Sequence, residues 1–591
     1  MPTPSQALSV GVGQKEWQKI QSSIERFVEM KIPFCLLMSC CGFLASTCVN
    51  LLASEPVVST KRPNVLLICI DDLKPRIGCY GDPLAKTPSI DGLAKQGVLF
   101  ERAYCNQAVC SPSRNALLVG LRPQSLGIYD LPTNFRKGAP NAVTLPQLFK
   151  ANGYFTQSFG KIFHVGHGNT DDAASWSTES FKPKGRNYQL TENQNLVNSK
   201  DNSKAAAFES ADAPEELYND WMIAQAAIDA LEDKSKSDQP WLLAVGFLKP
   251  HLPFVAPKKY WDLYDRDKIE LAEYQQTPEG APAYAPQNSG ELRAYSNMPS
   301  QGPIPESLQR ELIHGYLASV SFTDHQIGRV LSRLEQLGLT DNTIVVLWGD
   351  HGWHLGDHGM WCKHSNYEQA TRIPVIVSAP GKAQGASSKA IIESVDIYPT
   401  LCNLAGIEVP STLDGKSFAN ILDNPTQSHR DHAIQVYPRS KEGVGQVLGR
   451  SIRTERYRLV QWKAWDAPND LSDWELYDYQ SDPTEKKNLA HDAPQVVAGL
   501  RKLLETHPAA KAPVKSATSS QKATSGQAKQ TDRDALFTKK DSNTDGFLSN
   551  AEFMAGQKDP EQAKERFGKF DLDGDGKLNR KEFVSSGKSG N

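Results

Sequence analysis

Cys110-Ser111-Pro112-Ser113-Arg114 is the stretch on which the reading of this chain turns. It sets a thiol two residues before a proline and four before an arginine. Pro112 fixes its own φ and biases Ser111 toward extended geometry. Arg114 is therefore expected at the start of a helix running through NALLVGLR. The N-terminus of that helix offers backbone N–H groups and a positive dipole end to an anion. A lone cysteine in such a place reads as a buried residue at a loop–helix junction, and the stretches around it have to decide otherwise.

Three continuous apolar runs flank it in sequence: VLLICI before Asp71-Asp72, WLLAVGFL before KPHLPF, and TIVVLW before Asp350-His351. Runs of this length without alternation fit strands covered on both faces of a parallel sheet. Ligands of open α/β sheets gather at the carboxyl ends of such strands. Two adjacent carboxylates there are costly to bury unless a cation or protons neutralise them; a plain turn with an Asp cap is the simpler alternative. Lys161 and His164 in FGKIFH are three apart, so one side of a turn can carry both. His251 sits on a loop stiffened by Pro250 and Pro253.

Taken together, C-x-P-S-R, Asp71-Asp72, G-K-x-F-H, K-P-H-x-P-F and W-x-K-x-S-N resemble the sulfatase family over roughly residues 62–495, and the iduronate-2-sulfatase form within it. The resemblance implies an α/β sandwich of the alkaline-phosphatase kind with a central, largely parallel sheet and a smaller C-terminal β-rich subdomain. It implies that a formylglycine-generating enzyme oxidises Cys110 to formylglycine, whose hydrated aldehyde is the nucleophile. Asp71, Asp72, Asp350 and His351, with the modified Cys110, would hold one divalent cation. Hard carboxylate donors favour Ca²⁺ or Mg²⁺, and the family favours Ca²⁺. Arg114 would stabilise the nucleophile and Asp350 would act as base. Lys161, Lys363 and His251 would hold the sulfuryl oxygens, with His251 or Lys363 protonating the leaving oxygen. His164 would take the last proton, and Trp353 would flank the sugar. Cys362, beside Lys363, departs from the pattern and receives no role. The implied substrate is a sulfated glycan, attacked from its end at a 2-O-sulfated uronic acid or a similar sugar. The rivals are a formylglycine-dependent phosphodiesterase or phosphonate hydrolase, and an inactive calcium-dependent surface or adhesion protein.

The 591 residues are too many for one ordinary domain. A net charge of -3 does not suggest a nucleic-acid binder. The ten cysteines show neither metal-like spacing nor a disulfide framework. MKIPFCLLMSCCGFLASTCVNLLA, residues 30–53, reads as a cleaved signal peptide. The run also approaches spanning length, so a retained anchor is its rival. On the first reading residues 1–29 are an extension or a mis-called start. The protein is then secreted, periplasmic or extracellular, with no stable membrane partner.

Residues 60–430 are expected to form the catalytic domain and 431–505 its β-rich subdomain. Residues 506–532 read as a linker rich in Ala, Lys, Ser, Thr and Gln. In 533–588 two loops repeat the EF-hand pattern. Asp541, Asn543, Asp545, Phe547 (through its carbonyl), Ser549 and Glu552 form one. Asp571, Asp573, Asp575, Lys577 (through its carbonyl), Asn579 and Glu582 form the other. Gly546 and Gly576 take position six. Each loop is expected to bind one Ca²⁺.

Overall fold

The computed structural model describes residues 61–198, 204–514, 536–555 and 559–585. The expected signal segment and most of the expected linker lie outside them. Among the described residues, no helix is long and apolar enough to cross a membrane.

A seven-stranded sheet organises the large domain. Its strands are β1 (Asn64–Ile70), β2 (Val98–Tyr104), β3 (Phe155–Gly160), β4 (Trp241–Phe247), β5 (Thr343–Gly349), β6 (Arg372–Ser378) and β7 (Ala386–Glu393). Their order is β7-β2-β6-β5-β1-β4-β3. Every neighbouring pair is parallel except those made by β6, which runs against both β2 and β5. The sheet is thus largely parallel, as expected.

Alternation along β1 explains its unbroken apolar run. Leu66, Ile68 and Ile70 face one core, with residues of helices α2 (Asn219–Lys234) and α3 (Glu306–Gln336). Val65, Leu67 and Cys69 face the other, with α1 (Cys110–Val119) and α4 (Ile397–Leu404). Both faces being covered, neither alternate position has to be polar.

Four antiparallel strands, β8 (His432–Lys441), β9 (Gly445–Thr454), β10 (Tyr457–Lys463) and β11 (Asp473–Asp478), pair in sequence order. Ile434, Ile452, Leu459 and Leu476 pack against Leu504 of α5 (Pro494–Glu505). The start of the expected linker is not free. Lys511 N and Val514 N donate to Gln124 O and Gly127 O, and Lys511 O accepts from Tyr129 Oη and Trp465 Nε1. These bonds fasten the segment, as far as Val514, to the stretch Gln124–Tyr129 and to Trp465.

The polar stretch 166–215 is not all surface. Its strand Phe208–Ala211 pairs in parallel with Phe254–Pro257, directly after the His251 loop. In the C-terminal region, Phe547–Ser549 pairs with Lys577–Asn579. Phe537, Phe553, Phe567 and Phe583 form a small core there with Leu548 and Leu578.

Candidate active site

Sheet register delivers the polar residues side by side. Ile70 pairs with Gly349 on one side and with Phe247 on the other, so Asp71-Asp72, Asp350 and the loop bearing His251 leave three adjacent strands at the same level. Gly160 pairs with Gly246, which brings Lys161 alongside. A side chain at position 246 would strike the Lys161 backbone, its Cβ falling 2.1 Å from the carbonyl oxygen. Only glycine lets the two strand ends approach this closely.

Helix α1 begins at Cys110 itself, not at Arg114. Pro112 therefore lies in the first turn, where its missing N–H would have no helical partner anyway. The extended bias on Ser111 is overridden by what the next residues bind. Ser113 Oγ donates to Asp350 O. Arg114, 0% exposed, donates from Nε to Asp350 Oδ2 at 2.9 Å and from Nη2 to Asp71 Oδ1 at 2.9 Å. Its Nη1 bonds the carbonyls of Lys161 and Ile162. Arg114 thus holds the two carboxylates in place.

Cys110 Sγ lies 3.4 Å from His351 Nε2. His351 Nε2 is 3.2 Å from Asp72 Oδ1 and 3.6 Å from Asp350 Oδ1. Donor atoms of Asp71, Asp72, Cys110 and His251, and those of Cys110, Asp350 and His351, form two overlapping clusters of metal-holding size. Burial pushes the carboxyls of Asp72 and Asp350 up. Burial would also lower His351, yet Asp350 and Asp72 pull it up to about 10. Buried carboxylates that strain toward protonation, beside an imidazole, are a donor set that a hard divalent cation fits.

Two lysines flank this cluster. Lys161 Nζ is 2.5 Å from Asp71 Oδ2. Against the opposing effect of burial, Lys161 and then Arg114 hold Asp71 well below the usual carboxylate range. Lys363 Nζ lies 3.1 Å from Asp72 Oδ2. Trp353 does not open onto a sugar pocket. It is 1% exposed and carries Lys363 Nζ 4.9 Å above its ring, so it meets the site through that lysine. His164 is buried, and its recorded side-chain partner is His167, Nε2 to Nδ1 at 3.2 Å, rather than Cys110. Its Nδ1 is buried with no partner, and burial, then Lys161, lower its pKa to about 4.

Two contributors were not foreseen. Glu291 comes from a short helix, Gly290–Arg293, inside the Pro/Gly-rich stretch before α3. Its Oε1 accepts from Lys363 Nζ at 2.9 Å and lies 3.3 Å from His251 Nε2. No motif marks it, because a carboxylate in a long loop is ordinarily solvated. Replacing Glu291 by Gln is expected to lower kcat/KM about tenfold to a hundredfold, the worth of a hydrogen bond to a charged group; an unchanged value would make Glu291 a spectator. Asp220, at the start of α2, accepts from the backbone N–H groups of Leu248 and Lys249 at 2.8 and 2.9 Å. Lys249 Nζ in turn bonds the carbonyls of His251 and Pro253. Asp220 therefore fixes the loop that presents His251. Asp396 is a structural acid: it accepts from the Glu393 and Lys416 N–H groups and pairs with Arg430.

The sulfatase family profile matches residues 63–407, and a profile for the C-terminal part of N-sulphoglucosamine sulphohydrolase matches 356–509. Iduronate 2-sulfatase of Mus musculus is 35% identical over 523 residues, covering 76% of this chain and 95% of its own length. A sulfatase of Formosa agariphila is 31% identical over 484 residues, covering 78% and 89%. Among solved structures, a 2-O GAG sulfatase aligns with a TM-score of 0.53 at 26% identity, covering 76% of this chain and 92% of its own. Phosphonate monoester hydrolase from Silicibacter pomeroyi aligns at 0.61 with 23% identity, over 75% and 95%; at that identity the likeness concerns the fold alone.

Proposed function

Because this chain belongs to the sulfatase family and is a sulfuric ester hydrolase, we propose that it removes sulfate from a sulfated glycan through a formylglycine made at Cys110. The observation that carries this reading is the convergence of Cys110 with Asp71, Asp72, Asp350 and His351 between Lys161 and Lys363.

As formylglycine, position 110 would supply a hydrated aldehyde hydroxyl as nucleophile. A Ca²⁺ or Mg²⁺ held by Asp71, Asp72, Asp350 and His351 would supply positive charge beside it. The chain's own groups do the rest. Arg114 fixes Asp71 and Asp350 relative to position 110. Lys161, Lys363 and His251 form a cationic cradle for the sulfuryl oxygens, a fixed charge arrangement of the kind that contributes most to catalysis. Asp350 accepts the proton of the attacking hydroxyl. His251 or Lys363 donates one to the departing sugar oxygen. His164, neutral at physiological pH, takes the proton released when sulfate leaves. Each proton transfer is worth on the order of 10² to 10⁴ in rate.

The likeness to iduronate 2-sulfatases supports a terminal 2-O-sulfated uronic acid, or a similar sugar, as substrate. A panel of defined sulfated oligosaccharides, an aryl sulfate and a phosphonate monoester tests the reading. Sulfate release is the expected result. Cleavage confined to the phosphonate would overturn it in favour of a phosphonate hydrolase. Residues 30–53 are proposed to direct the chain out of the cytoplasm, where the formylglycine-generating enzyme would meet it during export.

The C-terminal pair is proposed to be two EF-hands, each taking one Ca²⁺. Gly546 and Gly576 adopt φ of 85° and 78° at the sixth loop position, and Asp571, Asp573 and Glu582 gather in the second loop. Ending the chain after Val514 is expected to leave turnover of an aryl sulfate within about twofold, by the near-neutrality of changes remote from a site. Ending it after Glu505 is expected to lower the melting temperature, because the hydrogen bonds of Lys511 and Val514 go with it. A large loss of kcat in the 514 truncation would place the calcium loops in the working site.

A further inference from the structure

Five arginines among the described residues are buried: Arg114, Arg122, Arg450, Arg453 and Arg458. Four of them pair with carboxylates: Arg114 with Asp71 and Asp350, Arg122 with Glu393, and Arg453 and Arg458 with Glu368. Arg450 of β9, 8% exposed, makes no ion pair with a carboxylate among the described residues, and Glu505 acts on it only from beyond ion-pair distance. Its recorded hydrogen bond runs from Nη2 to Pro508 O at 3.1 Å, and its Nε is buried without a partner. A guanidinium taken out of water with no counter-charge in contact and without a full set of acceptors costs stability. A fold keeps such a group where something else supplies the acceptors.

Arg450 lines a cavity of about 230 Å³ between the small sheet and the fastened 506–514 segment, with Lys463, Trp465, Glu505 and His507 among its other walls. The carboxylate in that wall is already engaged: Glu505 accepts from Arg501 Nε and Asn469 Nδ2, each at 2.9 Å. Trp465 is held by its Nε1 bond to Lys511 O and by an edge contact with Tyr129, so its ring forms a fixed apolar wall. His507 is neutral, its pKa lowered to about 4 by burial and then by His432. With Arg450 and Lys463 against Glu505, the net character is cationic, with one aromatic face.

We propose that this cavity is a second binding site for the oxyanion of a sulfated glycan, with Arg450 taking a sulfate ester or carboxylate and Trp465 covering the sugar ring. The planar guanidinium suits such an oxyanion, and an aromatic wall suits the apolar face of a pyranose. The site would hold a unit of the polymer away from the scissile one. The word glycan rests on the function proposed above; the oxyanion does not.

The test uses the full chain carrying Cys110→Ala, titrated calorimetrically with inorganic sulfate and with a defined sulfated tetrasaccharide, with and without Arg450→Met or Trp465→Ala. Arg450→Met is expected to weaken tetrasaccharide binding about tenfold to a hundredfold, and Trp465→Ala to weaken it without altering sulfate binding. In the enzyme with Cys110 intact, Arg450→Met should raise KM for the polymer while leaving kcat on an aryl sulfate unchanged, and its melting temperature should not fall. Sulfate bound at Arg450 without the tetrasaccharide would overturn the glycan assignment. Unchanged binding of both, or a lowered melting temperature with binding intact, would make Arg450 a structural tie to Pro508. Failure of the sulfatase reading would look different, as no sulfate release from the aryl ester by the unaltered enzyme.

Discussion

Cys110→Ala is expected to lose sulfate-ester turnover by a factor on the order of 10⁵ to 10⁶, the scale seen when a covalent nucleophile is removed. The fold should survive. The side chain is buried at the first position of α1, and its sulfur contacts His351 Nε2 at 3.4 Å. Loss of one small buried atom costs about 1 kcal/mol or less, against a carboxylate lattice that Arg114 continues to hold. Circular dichroism and melting temperature should therefore stay near those of the parent while sulfate release disappears. A companion measurement separates the nucleophile from its modification. In active protein, the tryptic peptide spanning position 110 should weigh about 18 Da less than the thiol form, as exchange of the thiol for an aldehyde requires. Activity retained by the alanine variant would remove Cys110 from the mechanism. Full activity in protein carrying only the thiol would keep the position and discard the aldehyde.

Much of this site was legible because its residues sit where strong local signals end. VLLICI, WLLAVGFL and TIVVLW are runs that only a doubly covered sheet tolerates, and the charged residues that break them mark the strand ends. Strand register then does the spatial work, bringing Asp71, Asp350 and the His251 loop to one level across adjacent strands. What could not be read lacks such a signal. FTQSFG and VLFERAY carry polar residues within the strand and do not stand out as buried runs. Glu291 belongs to a long loop whose path depends on contacts remote in sequence. The docking of 507–514 rests on backbone hydrogen bonds and two aromatic side chains elsewhere in the chain, while its own Ala-, Pro- and Lys-rich composition looks like coil. Trp353 lies beside the right motif, but sequence distance does not tell which face of Lys363 it covers. The start of α1 was misplaced because the local effect of Pro112 was weighed without the four partners that Ser113 and Arg114 find across the site.

The second large effect concerns stability. Arg458 of β10 is 0% exposed and joins the small sheet to the segment that follows Lys363. It donates to Asn366 O, to Glu368 Oε2 at 2.6 Å and to Thr371 Oγ1 at 3.0 Å. Its Nε bonds Tyr479 Oη at 2.8 Å and lies 3.2 Å from Glu485 Oε1. Arg458→Met is expected to cost about 3 to 5 kcal/mol, because removing one partner of a buried ion pair leaves the other charge without compensation. The cost should depend on pH in a definite direction. Burial alone would raise the Glu368 pKa, but Arg453 and Arg458 hold it well below the usual range. A carboxylate whose folded pKa is lowered stabilises the fold above its unfolded value, about 4.3, and loses that contribution as pH falls toward the folded one. The gap between parent and Arg458→Met should thus be full at neutral pH and shrink steadily below about pH 4. Arg458→Lys keeps a charge but not the planar fork, so it should fall between the two. Because Asn366 lies three residues from Lys363, kcat on an aryl sulfate should drop along with stability, and to a greater degree in the methionine variant. Denaturant unfolding of the three proteins at neutral and acid pH measures all of this. A methionine variant as stable as the parent at neutral pH would mean that the two subdomains are held together by their apolar contacts and that the buried charges at their junction contribute nothing net.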